Sequence, residues 1–205
     1  MKELREEFSY KVSYGPVGGI EDPYEFYMNL EDEEDFQQEV WMKDGVIHRE
    51  GGPAVIVRKK EDGAVHLEAW YQNGKLHRVD DPAILRYDEW DSSFVWMEGY
   101  FQNGLLHRAD AAARIEWDRE TRFPLVQSWY QHGKADRKNA PQYIRGLYVV
   151  EYEMWCRDGK CHREDGPAII ERNGKTGAVE NQEWYLEDKQ VVPVNSESPY
   201  RDPTP

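Results

Sequence analysis

One short motif recurs along most of this chain, and its recurrence restricts the folds that the chain can adopt. The fullest copy runs from Trp155 to Ala168 and reads Trp-Cys-Arg-Asp-Gly-Lys-Cys-His-Arg-Glu-Asp-Gly-Pro-Ala. Copies are spaced 26 to 30 residues apart, and each opens with an aromatic residue: Trp41, Trp70, Tyr100, Trp129, Trp155 and Trp184. A fixed period in this range is typical of repeat proteins in which every copy is one supersecondary unit.

Each copy contains the signal of a tight β-hairpin. Asn-Gly and Asp-Gly dipeptides tolerate positive φ at both loop positions, as a type I′ turn requires. If the loop has two residues, Tyr71 lies opposite Leu76 and Trp70 lies opposite His77, and the two pairs face opposite sides of the ribbon. The turn dipeptides are Asp44-Gly45, Asn73-Gly74, Asn103-Gly104 and Asp158-Gly159.

A second extended run follows each hairpin. Pro53 and its equivalents restart the chain before β-rich segments such as 54–57, and proline is suited to the first residue of a strand. The sequence therefore predicts an all-β fold, an elongated antiparallel meander or solenoid of about six two-stranded repeats that pair edge to edge. We expect an atypical acidic N-terminal cap over residues 1–40, the repeat array over 41–192 and a disordered Pro-rich tail over 193–205.

The turn sequence Trp70-Tyr71-Gln72-Asn73-Gly74-Lys75 resembles the variant form of the MORN (membrane occupation and recognition nexus) repeat. The longer Trp-Tyr-x-Asn-Gly-Lys-x-His-Arg-x-Asp-Gly-Pro-Ala pattern is similar to repeats of uncharacterised phage and large-virus proteins. The resemblance covers roughly residues 41–192 and implies a β-repeat architecture. Some variant-MORN relatives have antitoxin or immunity-type roles, so it also implies sequestration or inhibition of one target. The Gly-rich second half of the ordinary MORN unit is missing, so the resemblance does not imply membrane binding.

Charge is unevenly distributed. The net charge is −14, and residues 1–40 contain 12 acidic and 3 basic side chains, which is −9 and leaves −5 for the remainder. This balance disfavours direct binding to nucleic acid or to an anionic membrane, since both are bound mainly through Lys and Arg. The first residues lack the apolar segment of a secretory signal, which predicts a cytoplasmic protein, in the host cytosol if the source is viral.

The two cysteines fall at opposed positions of one hairpin. Cys156 and Cys161 take the places that Tyr71 and Leu76 take in the second copy. Reduced thiols are the expected state in the cytosol, while a cross-strand disulfide is also geometrically possible, and the sequence leaves both open. A zinc site normally needs four ligands and only His162 lies nearby, so no metal and no cofactor are predicted.

A His-Arg dipeptide recurs at 48–49, 77–78, 107–108 and 162–163. In an enzyme, the histidine could act as a general base and the arginine could bind an anion. An active site normally occurs once, however, whereas these pairs recur in several copies. We therefore expect structural roles, with each His stacked on the aromatic residue opposite it and each Arg lying on the Tyr and Leu face or paired with a following carboxylate. No catalytic residues are predicted. The candidate carboxylates are Glu50, Asp80, Asp110 and Asp165.

These patterns favour a non-enzymatic scaffold that binds a protein partner, one with a basic surface if the acidic segment takes part. The predicted partner-binding residues are Trp41, His48, Trp70, His77, Tyr100, His107, Trp155, His162, Glu31, Asp32, Glu33, Glu34 and Asp35. Two alternatives remain open. One is an acidic DNA-mimic inhibitor that uses residues 21–39, and the other is an enzyme with a site at the atypical middle copies, near Trp90, Trp117 and Asp136.

Overall fold

Strands and turns account for the described part of the chain. A computed structural model describes residues 35–137 and 139–192, together with the backbone of residues 9–14. No helix in this part of the chain is long and apolar enough to span a membrane. The chain divides into two compact units, Met1–Trp96 with Phe101–Gly104 and Met97–Tyr100 with Leu105–Pro205.

The long strands of the first unit form an antiparallel sheet in the order β1-β2-β4-β5-β8-β9. Strand β1 lies within the predicted cap, and β2 crosses residue 40, where the predicted cap meets the array. The strands are β1 (Ser9–Tyr14), β2 (Phe36–Lys43), β3 (Val46–Ile47), β4 (Val55–Lys59), β5 (Val65–Ala69), β6 (Tyr71–Gln72), β7 (Lys75–Leu76), β8 (Ile84–Tyr87), β9 (Val95–Gly99) and β10 (Phe101–Gln102). Strand β9 begins in the first unit and ends in the second.

The second unit continues the same alternation in the order β9-β12-β13-β16-β17-β20-β21-β22. Its strands are β11 (Leu105–Leu106), β12 (Arg114–Trp117), β13 (Pro124–Ser128), β14 (Tyr130–Gln131), β15 (Lys134–Ala135), β16 (Tyr143–Arg145), β17 (Tyr152–Met154), β18 (Cys156–Arg157), β19 (Lys160–Cys161), β20 (Ile169–Arg172), β21 (Val179–Leu186) and β22 (Lys189–Val191). The prediction of an all-β antiparallel meander is confirmed, and the sheet is open.

The predicted hairpin turns are also confirmed. In every copy the first loop residue has φ between 49° and 53° and the second between 66° and 84°, the left-handed values of a type I′ turn. Tyr71 pairs with Leu76, and the N–H of His77 donates to the carbonyl of Trp70 at 2.9 Å, which is the expected register.

The structure corrects one detail of the meander. Most of the aromatic-led hairpins do not pair edge to edge within the long sheet but form separate two-stranded ribbons, β6-β7, β10-β11, β14-β15 and β18-β19. The strands that flank each hairpin build the meander instead. The inner side chains Tyr71 and Leu76 are buried to 4% and 5% exposure. A single sheet leaves its faces uncovered, so burying these side chains requires a second layer.

The core contains the inner side chains of the hairpins and one face of the long strands. In β5, Leu67 and Ala69 are buried while Glu68 between them is half-buried, and β9 and β13 repeat this alternation. Among the fully buried residues, Phe101 is the largest. Adjacent strand residues point to opposite faces, and the opposite face is also buried in places, since Ile56 and Ile170 are each 6% exposed.

Candidate functional site

An arginine lies over the aromatic ring that opens each of the first five copies. The guanidinium carbon is 3.7 to 4.1 Å from the ring centroid in all five pairs. The pairs are Arg49 on Trp41, Arg78 on Trp70, Arg108 on Tyr100, Arg137 on Trp129 and Arg163 on Trp155. Such cation–π contacts are worth roughly 0.5–2 kcal/mol each, depending on desolvation.

The same arginines also fix the bend that follows each hairpin. In each copy Nη1 donates to the backbone carbonyl four residues further on, at 2.9 to 3.2 Å. Ring, guanidinium and carbonyl therefore form one stack. The acceptors are the carbonyls of Pro53, Pro82, Ala112, Pro141 and Pro167.

These stacks correct the predicted positions of the side chains in the His-Arg pairs. The sequence predicts that each arginine lies on the Tyr and Leu face of the ribbon or binds a carboxylate, and that each histidine stacks on the aromatic ring. Strand β7 ends at Leu76, so Arg78 lies outside it, and a bend begins at Val79. The alternation of faces along a strand therefore does not extend to Arg78, whose side chain returns over Trp70.

Each histidine instead connects its hairpin to the next. Its Nδ1 accepts the backbone N–H of the first turn residue of the following copy at 3.1 to 3.2 Å. The donors are Asn73 to His48, Asn103 to His77, His132 to His107, and Glu187 to His162. Histidine is thus structural, as expected, but its partner is the backbone of the next turn.

Two backbone hydrogen bonds complete a typical junction between hairpins. The N–H of Gly74 donates to the carbonyl of Ile47 at 2.9 Å, and the N–H of Arg49 donates to that of Tyr71 at 3.2 Å. The fourth copy has Asp136 where the first, second, third and fifth copies have histidine, yet its junction keeps the bond from Gly159 N–H to the carbonyl of Ala135 at 2.9 Å. The junction therefore depends on both side chain and backbone.

The predicted partner-binding aromatics and histidines are thus used inside the protein. The aromatic rings are half-buried beneath arginines, and His48 and His162 are buried. Asp35 is exposed, whereas residues 31–34 lie outside the described residues. The aromatic and histidine side chains accordingly make contacts within the protein, and their role in binding a partner stays a prediction.

Exposed carboxylates follow four of the five stacks, at the bends that we call the acidic bends. Asp81 is 63% exposed whereas its partner Arg78 is 30% exposed, and Asp165 is 82% exposed whereas Arg163 is 20% exposed. Negative charge therefore dominates what these bends present to solvent. The acidic bends consist of Glu50, Asp80 and Asp81 in the first unit and of Asp110, Glu164 and Asp165 in the second.

The pairing expected for these carboxylates holds in one copy. Arg163 binds Asp165 at 2.9 Å, and the hydrogen bond from Arg163 holds the pKa of that carboxyl below its ordinary value. Arg78 binds Asp81, at 3.0 Å, in place of the expected Asp80.

Two further contacts complete the chemistry of the acidic bends. Glu50 lies 3.6 Å from His48. Hydrogen bonds from His162 and then Arg157 lower the pKa of Glu164. Glu164 is therefore ionised at neutral pH.

A row of polar and aliphatic side chains crosses the second unit on the face opposite the buried Met97 and Val126. We call it the outer row, and its members are paired strand by strand: Glu98, Ile115, Gln127, Ile144, Glu153, Ile170 and Gln182. The polar members recur on every second strand, roughly 9.6 Å apart. The first unit has a comparable row of Glu39, Ile56, Glu68 and Leu85.

Aromatic donors orient several carboxylates of these rows. The indole of Trp41 donates to Glu39 at 2.9 Å, and the hydroxyl of Tyr87 donates to Glu68 at 2.7 Å. Burial, followed by that hydrogen bond, raises the pKa of Tyr87 above its ordinary range. These carboxylates therefore have fixed positions and still have unused lone pairs.

The atypical middle copies do not bring Trp117 and Asp136 together. Trp117 pairs with Pro124 at the start of β13, whereas Asp136 bonds to Trp129 directly after the end of that strand. Trp90 is 74% exposed on a loop of the first unit. Among the described residues, no group of three or more His, Cys, Asp or Glu side chains is arranged to hold a metal ion.

The fold and its junctions define an antiparallel β-repeat protein whose copies are linked by hydrogen bonds between successive hairpins. No protein-family model, curated protein or solved structure matches the chain.

The acidic bends were visible in the sequence but were interpreted only as partners of arginine. A signal for their exposure was available, because each carboxylate follows the last strand residue of its hairpin by several positions. Loops run over the protein surface, where carboxylates remain solvated. The alternation of the outer row required the strand register and was missed.

Proposed function

We propose that this chain is a non-enzymatic scaffold that binds a protein partner with a basic surface and thereby sequesters or inhibits it. The observation that carries the proposal is the recurrence of exposed carboxylates at the acidic bends. Arginine in the same bends is directed onto a ring and a carbonyl, so its charge is largely covered. Complementary charge speeds association and suppresses wrong partners.

The outer row adds a second kind of contact. Ile115 and Ile144 are half-buried there and alternate with polar side chains, so a partner would meet some apolar surface and hydrogen-bonding groups together, whereas Ile170 is buried. Interfaces combine both, and a few central residues usually contribute most of the binding free energy.

The resemblance to variant MORN repeats supports the same class of function. Relatives of that type include antitoxin and immunity-type proteins, which act by binding one target. Residues 31–35 add five negative charges to the chain.

The proposal is tested by pull-down from the native host with the full chain and two variants. In the first unit, Asp80→Asn with Asp81→Asn removes two charges from an acidic bend. Asn tolerates the positive φ of 65° that Asp80 adopts. We expect capture at low salt to be several-fold lower for this variant than for the wild type. Capture by the wild type should itself fall as added salt shortens the Debye length, which is about 8 Å at 0.15 M.

A matched control removes the same charge elsewhere in the first unit. Glu61→Gln with Glu89→Gln alters the turns at the opposite ends of the strands, where both side chains are exposed. Capture should be unchanged in this control. Equal losses in the two double variants would show that only net charge matters, and salt-independent capture would contradict a basic partner.

A further inference from the structure

The two cysteines occupy the one kind of hairpin site at which a disulfide fits without moving the backbone. Cys156 on β18 is paired directly with Cys161 on β19, and a two-residue turn closes the hairpin. The N–H of His162 donates to the carbonyl of Trp155 at 3.0 Å, so the next pair along is hydrogen-bonded. The cysteine pair is therefore non-hydrogen-bonded, with a Cα–Cα distance of about 4.5 Å, inside the range of about 4.4–6.8 Å for disulfides.

The two thiols differ in access and in acidity. Cys156 is buried, while Cys161 is half-buried. A hydrogen bond from the Cys156 thiol lowers the pKa of Cys161, and the same bond together with burial raises the pKa of Cys156. The thiolate is the nucleophile in disulfide exchange, so Cys161 is the attacking residue and Cys156 the resolving one.

We propose that Cys156 and Cys161 form a dithiol modification site that exchanges with a small-molecule disulfide of the glutathione class. The Cys161 thiolate attacks one sulfur of oxidised glutathione, a mixed disulfide forms, and one reduced glutathione leaves. Cys156 then loses its proton to solvent and attacks the Cys161 sulfur, which releases the second glutathione. The protein loses two electrons and two protons, and the glutathione disulfide gains them.

The cysteine pair lies at the junction with the last hairpin, so its oxidation state bears on the contacts with that hairpin. The N–H of Cys161 donates to the Asp188 carboxylate at 2.7 Å, and the N–H of Asp188 donates back to the carbonyl of Cys161 at 3.0 Å. Arg157, beside Cys156, also binds Glu187 at 3.2 Å. A covalent link across this hairpin holds both arms that contact the turn of the next copy.

The test uses the full chain, reduced and then incubated with oxidised glutathione at neutral pH, followed by mass spectrometry. Wild type should lose two hydrogen atoms and retain no glutathione. Cys156→Ser should accumulate a glutathione adduct on Cys161, and Cys161→Ser should form its adduct at least about tenfold more slowly. Reduced glutathione should reverse all three products.

Several results would overturn the site. They are equal rates for the two serine variants, a stable glutathione adduct on wild type, or a disulfide between two chains. Circular dichroism checks that each variant keeps its β-structure. If either variant does not fold, brief alkylation of reduced wild type with peptide mapping decides the question, since Cys161 must be labelled first.

Discussion

Replacing Arg163 by lysine isolates the contribution of the ring stack, because charge is retained while geometry is lost. The guanidinium lies 3.7 Å from the Trp155 ring centroid, Nη1 donates to the carbonyl of Pro167 at 3.2 Å and Nε binds Asp165 at 2.9 Å. Lysine is a compact cation that cannot make all three contacts at once. Losing the carbonyl bond costs about 1 kcal/mol, weakening the cation–π contact about 0.5–1 kcal/mol, and the exposed ion pair little.

The expected loss for Arg163→Lys is therefore about 1–2 kcal/mol in the free energy of unfolding. Urea denaturation followed by tryptophan fluorescence measures it. Arg157→Lys is the matched control, because Arg157 lies in the same hairpin, is 52% exposed and binds the exposed carboxylates of Glu164 and Glu187. It should lose clearly less than Arg163→Lys. Equal losses in the two variants would refute the stacking argument.

Three further outcomes follow from buried and linking groups. Burial and nearby cations lower the pKa of His66 to about 4, so the folded state resists protonation of this side chain. The free energy of unfolding should be at its full value above pH 6.5. It should fall by about 1–2 kcal/mol, after allowing for solvent screening, as the pH drops from 6.5 towards 4. The urea midpoint of His66→Gln should change less over that interval, and a parallel change would contradict the assignment. Phe101→Ala should cost about 3–5 kcal/mol by calorimetry, against less than about 0.5 kcal/mol for the exposed Phe123→Ala, and similar values would contradict the core described here. His77→Leu removes the acceptor for the Asn103 N–H and should cost about 0.5–1.5 kcal/mol, with partial recovery in His77→Gln; no difference between the two would mean that the link is dispensable.

Local chemistry made much of the fold predictable. A type I′ turn needs two consecutive residues with positive φ, and Asn73-Gly74 supplies them at low cost, so the hairpin and its register could be read from the chain. The same turn also forms in a copy with a less favourable dipeptide, because Glu187 and Asp188 both adopt positive φ.

Side-chain placement outside the strands was less predictable. The rule that places neighbouring residues on opposite faces holds only while the chain stays extended, and it ends where the bend begins. It therefore assigned His77 to the ring and Arg78 away from it, whereas in the structure Arg78 lies over Trp70 and His77 accepts the N–H of Asn103. The extra residue at a β-bulge has the same effect: Val57 pairs with Leu67 and Arg58 with Val65, so His66 falls outside the alternation.

The sequence by itself determined the repeat, the turn type, the antiparallel pairing of the hairpins and the all-β class, because each depends on residues close together in the chain. Only the tertiary structure decided that most hairpins form separate ribbons, that arginine covers the ring in the first five copies, and that histidine binds the next turn. The histidine link depends on a contact between residues about one repeat apart, such as His48 with Asn73. The free energies of these arrangements come from burial and from pairing backbone groups across copies, and no local preference encodes either one.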